Sequence, residues 1–202
     1  MTRRQAALER NTSETQIRLK LDLDGAGDIG RSIDVPSGFF AHMLDALTKH
    51  GGFGVELEAQ GDTHIDLHHT VEDVGIAFGE ALHKALGDRV GVTRFAHAYA
   101  PLDEALARVV VDLSGRGFLA LRMPEDLDHA WVTRDFPLTL VEDFLQAFAD
   151  RGRVTMHVDV IEGRNPHHVA EAVFKATALA LRAAVAKRDG AEMPSTKGTL
   201  TS

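Results

Sequence analysis

Asp66-Leu67-His68-His69-Thr70-Val71-Glu72-Asp73-Val74-Gly75 decides the fold of this chain, because a related stretch occurs a second time. The second copy is Asn165-Pro166-His167-His168-Val169-Ala170-Glu171-Ala172-Val173-Phe174, and both copies contain His-His-x-x-Glu. Helical side chains four residues apart share a face, so each glutamate would lie beside the first histidine of its copy. The second histidine of each pair would point about 100° away. Imidazole and carboxylate groups bind divalent metals, and their repetition predicts two metal sites.

The two copies together decide where their helices begin. In the first copy, Thr70 and Asp73 fit a capping box, which would leave both histidines before the helix. In the second copy, Asn165 is a favoured N-cap and Pro166 a favoured first helical residue, and Asp66 occupies the place of Asn165. We therefore predict that both helices begin just before the histidine pairs.

The rest of the chain repeats with the motif. Apolar periodicity in the first half predicts strands at 15–23, 30–35, 53–59 and 64–67, and helices at 39–51 and from 66 to 87. In the second half it predicts strands at 107–113, 118–123 and 153–160, and helices at 137–150 and 165–187. The fold class is therefore α+β, with two similar half-domains, residues 1–92 and 93–202. Each half would have a mixed sheet and two helices, the helices forming a layer between the two sheets.

Composition limits the classes of protein to consider. The chain has 202 residues, a formal charge of −8 and no cysteine, so a metal site must use histidine, aspartate or glutamate. The acidic balance argues against general nucleic-acid binding. No apolar run approaches the length of a membrane span, and no signal peptide follows the basic first residues. We expect a cytoplasmic protein.

Differences between the halves predict an anion site. Arg116 stands where the first half has Ala26, and Lys175 stands where it has Ile76. Lys175 lies four residues after Glu171, where a simple ion pair would contribute only ~0.2–0.5 kcal/mol. With Arg94, Arg116 and Lys197, it would form a basic group that is specific to the second half. Arginine and lysine suit phosphate, so a phosphorylated substrate is the natural ligand.

The alignment adds a fourth candidate ligand to each half, since His42 falls opposite Asp143. Each half then contributes two histidines, a glutamate and either His42 or Asp143. The residues alone leave open whether each half forms its own metal site or each site draws on both halves.

Six stretches, in this order, resemble the imidazoleglycerol-phosphate dehydratases of histidine biosynthesis. They are Arg10-Asn11-Thr12-Ser13-Glu14-Thr15, Phe39-Phe40-Ala41-His42-Met43-Leu44, His68-His69-Thr70-Val71-Glu72-Asp73, Asp112-Leu113-Ser114-Gly115-Arg116, Asn165-Pro166-His167-His168 with Glu171 and Phe174-Lys175-Ala176, and Pro194-Ser195-Thr196-Lys197-Gly198. The resemblance implies dehydration of D-erythro-imidazole-glycerol phosphate to imidazole-acetol phosphate. It also implies two Mn²⁺ ions per active site, or another divalent metal, and a homo-oligomeric, octahedral 24-mer with active sites between subunits.

The resemblance also assigns roles to residues of this chain. The implied metal ligands are His42, His68, His69, Glu72, His167, His168 and Glu171; of these, His42, His68 and Glu72 are also expected to contact substrate. The implied phosphate ligands are Arg94, Arg116, Lys175, Ser195 and Lys197. Glu14 would touch the glycerol part of the substrate, and His50 would line the pocket.

One position departs from the family pattern. The family usually has a ligating histidine within Glu-His-Phe-Phe, and this chain has Glu142-Asp143-Phe144-Leu145. Aspartate can bind manganese through oxygen, but its side chain is shorter than that of histidine. Either Asp143 ligates after a small shift, or water fills the gap.

Our mechanistic hypothesis is that metal coordination favours the imidazolate form of the substrate ring and helps expel the hydroxyl group, while a second metal orients the substrate. A carboxylate then takes the carbon-bound proton, with Glu14 and Glu171 as candidates and a water molecule as their rival. His50 is the third predicted catalytic residue. Two other functions use the same residues: a dinuclear metal-dependent phosphate-ester hydrolase, and a non-enzymatic shell protein assembled by metals.

Overall fold

A computed structural model describes residues 3–25, 29–127, 129–188, 193–196, 198 and 200. Within these residues the first half contains β1 (Gln5–Asn11), β2 (Thr15–Asp22), β3 (Arg31–Asp34), α1 (Gly38–Gly51), β4 (Gly54–Gly61) and α2 (His68–Leu86). The second half contains β5 (Phe95–Leu102), β6 (Ala105–Asp112), β7 (Phe118–Arg122), α3 (Thr139–Gly152), β8 (Thr155–Glu162) and α4 (Pro166–Val185), with a short 3₁₀ turn at Glu125–Leu127. None of the helices in the described part of the chain combines the length and apolar character that a membrane span requires.

The two halves have the same sheet topology. The first sheet has the strand order β1-β2-β4-β3 and the second β5-β6-β8-β7. In both sheets the first two pairings are antiparallel and the last is parallel, so each sheet is mixed. The register repeats as well, since Ile17 pairs with Ala59 as Ala107 pairs with Val160. The predicted α+β fold with an internal duplication is confirmed.

The first strand of each half, β1 and β5, is missing from the sequence prediction. Both are edge strands whose inward residues are, apart from the small Ala100, only partly buried, which weakens the periodic signal. In β5 the large side chains of Phe95 and Tyr99 are exposed, and alanines face inward. The short strand predicted at 64–67 is also wrong, because residues 63–65 form a turn in which the Ile65 amide donates to the Asp62 carbonyl.

The helices form a layer in which each half packs on the other. α2 lies on β1 and β2 and packs against α3, while α4 lies on β5 and β6 and packs against α1. Buried apolar side chains from both halves form one continuous core. The α2–α3 approach depends on small residues: a Cβ at Gly75 would lie 2.6 Å from the Phe144 carbonyl oxygen, and a Cβ at Gly79 would lie 2.6 Å from that of Phe148. The predicted helical layer between two sheets is therefore present.

Both histidine-bearing helices begin where the two copies of the motif predict. The Asn165 side chain accepts a hydrogen bond from the His167 amide at 2.9 Å, and Pro166 is the first helical residue. The Asp66 side chain accepts from the His68 amide at 2.8 Å in the same way. The same hydrogen bond thus forms in both first turns, although the N-cap is Asn165 in α4 and Leu67 in α2, and both turns present a histidine pair at the start of a helix.

Candidate active site

The first cluster lies where α1 meets α4 and joins His42, His167 and Glu171. The Nε2 atoms of both histidines are 3.3 Å from Oε2 of Glu171. The three ligand atoms lie within 4.8 Å of one another, close enough to share a cation, and no other set of three within the described ranges meets that criterion. His42 comes from the first half, and His167 and Glu171 come from the second. This cluster therefore draws on both halves, which answers the question that the sequence left open.

The carboxylate of Glu171 is kept ionised by its neighbours. Its partial burial favours the neutral form, but hydrogen bonds from Lys175 and His42 outweigh burial, so the pKa of Glu171 is lowered. Lys175 Nζ lies 2.6 Å from Oε1 of Glu171. The other carboxylate oxygen faces the two histidines. The glutamate thus links a cationic side chain on one side to a candidate metal position on the other.

The second cluster lies where α2 meets α3 and is the counterpart of the first. Nδ1 of His68 is 3.1 Å from Oδ2 of Asp143, so Asp143 contacts one of the predicted metal ligands. Glu72 is exposed one turn along α2 on the face of His68. This set contains one imidazole and two carboxylates, whereas the first contains two imidazoles and one carboxylate. An open cavity of about 670 Å³, lined by His68, Asp143 and the exposed Trp131 among others, adjoins it.

His69 points away from the second cluster, toward the turn that joins β1 to β2. Its Nδ1 lies 3.0 Å from Oδ2 of Asp62 and 3.9 Å from Oε2 of Glu14. The hydrogen bond to Asp62 raises the pKa of His69, and the same bond lowers the pKa of Asp62. Asp62 is a residue that the sequence prediction missed. A carboxylate on one ring nitrogen orients the other ring nitrogen as a ligand.

His168 points to the equivalent turn of the second half but is held differently. Its Nδ1 lies 2.7 Å from Oε2 of Glu104, and the other Glu104 oxygen accepts from the Asn165 amide at 2.8 Å. These bonds lower the pKa of Glu104 to about 2, the bond to His168 having the largest effect. The role of Glu104 was also missed, although its alignment with Glu14 could have found it. Glu104 is fully engaged, whereas the Glu14 side chain is 49% exposed.

Arg94 is held rigidly and has a counterpart in the first half. Its Nε donates to Asp112 at 2.8 Å, and its Nη1 donates to the Pro194 carbonyl at 2.6 Å. Arg4 is equivalent: it pairs with Asp24, and its Nη1 donates to the Val185 carbonyl. The carbonyls of Arg4 and Arg94 accept hydrogen bonds from the amides of Leu23 and Leu113, the residues directly after β2 and β6. The expected restriction of the basic group to the second half is therefore wrong for Arg94.

The predicted basic residues do not meet around one cluster. The Arg94 amide donates to the carbonyl of Ala184, which lies about 26 Å beyond His167 along α4. Arg116 follows β6 at this same end of the sheet, and Ser195 follows Pro194, the carbonyl partner of Arg94. Of the predicted basic residues that the structure describes, only Lys175 contacts a cluster. Lys197 lies outside the described residues.

His50 also lies away from the cluster that its helix supplies. It is half-buried in the last turn of α1, about 12 Å along the helix axis from His42. Within one chain it therefore cannot share a small ligand with His42 and His167 directly.

Comparison with known proteins gives one consistent result. The sequence profile of the family described as imidazoleglycerol-phosphate dehydratase matches residues 36–181. Relatives named imidazoleglycerol-phosphate dehydratase include those of Acidithiobacillus ferrooxidans, 50% identical with all of both chains covered, and Halorhodospira halophila, 50% identical with 99% of this chain and all of the relative covered. Crystal structures of the enzyme from Staphylococcus aureus and of IGPD from Pyrococcus furiosus superpose with TM-scores of 0.76 and 0.79, at 34% and 31% identity. They cover 91% and 95% of this chain and 99% of each solved chain.

Proposed function

The chain belongs to the imidazoleglycerol-phosphate dehydratase family and is a hydro-lyase of histidine biosynthesis, and we propose that its two cross-half clusters hold the metal ions of the reaction. The activity is the dehydration of D-erythro-imidazole-glycerol phosphate to imidazole-acetol phosphate. The observation that carries the metal proposal is the convergence of His42, His167 and Glu171 within 4.8 Å. Two imidazoles and an ionised carboxylate are a donor set that Mn²⁺ and similar cations accept.

The two clusters would hold one ion each, two Mn²⁺ per active site. His42, His167 and Glu171 form one set of ligands, and His68, Asp143 and Glu72 form the other. A bound cation would act as a Lewis acid and would favour the deprotonated form of the substrate imidazole. His69 and His168 each have Nδ1 engaged by a carboxylate, so each would offer Nε2 as a metal ligand, and Nε2 of His168 lies 3.8 Å from the carboxylate of Asp103.

The distances within one chain support our proposal that active sites lie between subunits. Arg94 and Arg116 lie at the opposite end of the second half from His167. The distance between these arginines and His167 exceeds the length of one small substrate. A second subunit is then needed to bring the phosphate ligands to the clusters. In a site between subunits, Arg94, Arg116 and Ser195 would bind the phosphate group of the substrate. Lys175 would lie beside the metal ligands of that site. We propose a homo-oligomer, with the octahedral 24-mer of the family as its form.

Glu14 is the proton acceptor that we propose. The reaction removes a carbon-bound hydrogen and the hydroxyl group as water, and the enol that forms becomes the ketone. Glu171 is occupied by Lys175 and two histidines, so it serves better as a ligand than as a base. Within the described residues the carboxylate of Glu14 accepts no hydrogen bond, and its nearest cationic neighbour is His69 at 3.9 Å. An unengaged carboxylate near a ligand histidine is free to take a proton from the substrate.

A product assay with controlled metal content tests this proposal. We expect the metal-stripped enzyme to be inactive and Mn²⁺ to restore it, with a new ketone and the phosphate ester intact. Release of inorganic phosphate would instead indicate the phosphate-ester hydrolase. Glu14→Gln is expected to lower kcat by about 10²–10⁴-fold, the usual contribution of general base catalysis. Full activity without metal would contradict the metal proposal, and full activity of Glu14→Gln would contradict the role of Glu14.

A further inference from the structure

A buried polar network lies beneath Glu14 in the first half. Asp73 lies on α2, one turn after His69, and its side chain is only 7% exposed. Its Oδ1 accepts a hydrogen bond from Nη2 of Arg10 at 2.6 Å, and its Oδ2 accepts one from Oγ1 of Thr15 at 2.5 Å. The carboxylate of Asp73 is therefore engaged at both oxygens, by a residue of β1 and by the first residue of β2.

The network continues into the turn that carries Glu14. Oγ1 of Thr12 accepts hydrogen bonds from the amides of Glu14 and Thr15, at 3.1 and 2.9 Å. Oγ1 of Thr12 and Oγ1 of Thr15 lie 3.2 Å apart. The turn is thus closed internally by Thr12 and fastened to α2 through Thr15 and Asp73. Since α2 also carries His69, this anchoring sets the position of Glu14 relative to that histidine.

The second half shows that the fold does not need this network. By the strand register and the histidine motif, Arg10, Thr15 and Asp73 correspond to Ala100, Ala105 and Ala172. All three alanines are buried, and the second half has the same topology without the polar groups. There Glu104 is fixed directly, through the Asn165 amide and His168. Only the half whose glutamate is left unengaged retains the anchored turn.

We propose that Arg10, Thr15 and Asp73 are positioning residues, which hold the Glu14 turn against α2 so that the Glu14 carboxylate stays unengaged yet close to His69. Asp62 completes the arrangement, because it takes the Nδ1 hydrogen bond that Glu104 takes in the second half. This inference rests on the proposed role of Glu14 as proton acceptor. A small displacement of such a group is costly, since a misplacement of about 1 Å can reduce a rate by roughly 10²-fold.

The test is a double-mutant cycle on the metal-loaded enzyme. One arm is Arg10→Ala/Thr15→Ala/Asp73→Ala, which copies the second half and removes both partners of each bond, so little stability should be lost. The other arm is Glu14→Gln. We expect the triple variant to lower kcat by about 10–100-fold with little change in KM, and to have almost no further effect in the Glu14→Gln background. Thr15→Ser, which keeps the hydroxyl group, should retain activity.

Failure of this inference can be told apart from failure of the Glu14 role. If Glu14→Gln leaves kcat unchanged, the proton-acceptor role is wrong, and a positioning role acting through it falls as well. If Glu14→Gln lowers kcat but the triple variant does not, or lowers it equally in both backgrounds, only the positioning inference is wrong. Asp159→Asn is the matched control, because Asp159 pairs with Arg108 and Arg122 away from either cluster.

Hydrogen exchange supplies a readout that does not depend on turnover. In the metal-free protein, the triple variant should speed exchange of the Glu14 and Thr15 amides and leave the amides of α4 unchanged. If the amides of the Glu14 turn exchange equally slowly in the triple variant, the proposed anchoring of the turn is wrong.

Discussion

The two helix crossings of this molecule are built on one plan and differ in their ligands and their packing. At the α1–α4 crossing, two imidazoles surround a carboxylate that Lys175 holds ionised. At the α2–α3 crossing, Asp143 replaces one imidazole, and Ile76 stands in place of Lys175. Nitrogen-rich sets favour softer borderline metals, and oxygen-rich sets favour harder ones such as Mn²⁺ and Mg²⁺. The comparison teaches that a duplicated fold can offer two sites of unequal affinity and preference.

Single histidine substitutions should separate the two sites most strongly. We expect His167→Ala to weaken the tighter class of Zn²⁺ site, which the nitrogen-rich α1–α4 crossing would form, on the order of 10³-fold, more than the 10–100-fold typical of lost outer-shell partners. His68→Ala should leave the tighter class intact and weaken the other. Calorimetric titration of the metal-free protein measures both. Equal losses in the two variants would mean that the crossings bind metal equivalently.

The packing of the two crossings can be compared with a second pair of variants. Gly79→Ala places a methyl group 2.6 Å from the Phe148 carbonyl oxygen, so we expect it to destabilise the fold by about 1–3 kcal/mol. The equivalent residue at the other crossing is the buried Ala178, and Ala178→Gly should cost about 1 kcal/mol. Denaturant unfolding gives both values. A neutral Gly79→Ala would show that α2 and α3 have room to separate.

A substitution that gives both crossings the same candidate ligands should reduce the difference between their metal affinities. Asp143→His gives the α2–α3 crossing the composition of the other crossing, and we expect about tenfold tighter Zn²⁺ binding there, or about 1.4 kcal/mol. The α1–α4 site should be unaffected. Competition with a chromophoric chelator measures the change in the metal-free protein. If both sites keep their wild-type affinities, residue 143 does not determine the difference.

The smallest expected effect concerns the glutamates of the two equivalent turns. The pKa of Glu104 in the folded protein is about 2, below its ordinary 4.5, so its stabilisation is complete above pH 4.5 and is lost as the pH falls toward 2. Glu104→Gln should therefore flatten the loss of stability across this window. The free energy of unfolding of the metal-free protein, measured from pH 5 to 2, tests this. Glu14→Gln, the matched variant, gives the effect of removing a turn glutamate that lacks those bonds.

Much of this architecture could be predicted, because the sequence patterns that indicate the helices and the candidate ligands occur in both halves. The start of α2 was ambiguous by itself, and the better cap at Asn165 resolved it. The candidate ligands of both crossings were predicted in the same way. The edge strands β1 and β5 were not, since their apolar periodicity is weak or points to the exposed side.

The pairing of the halves could not be predicted because it depends on distance in space. No spacing in the sequence shows that His42 meets His167, since that contact depends on how α1 packs against α4. The role of Asp62 was hidden for the same reason, because it acts on a histidine presented by another element. The equivalence of Arg4 and Arg94 went unnoticed because the strands that follow them were not predicted.

Because each candidate metal cluster takes one helix from each half, a free half-length chain would contain neither. Two such chains related by a two-fold axis would contain both, as identical copies across an isologous interface. In a symmetric dimer, every substitution appears in both copies. Fusing the two copies into one polypeptide would keep the contacts and would let each half be substituted separately. Asp143, Lys175 and the buried network under Glu14 are then independent substitutions that only a fused ancestor could accumulate. The duplication supplied the geometry, and the covalent joining of the copies supplied the freedom to specialise.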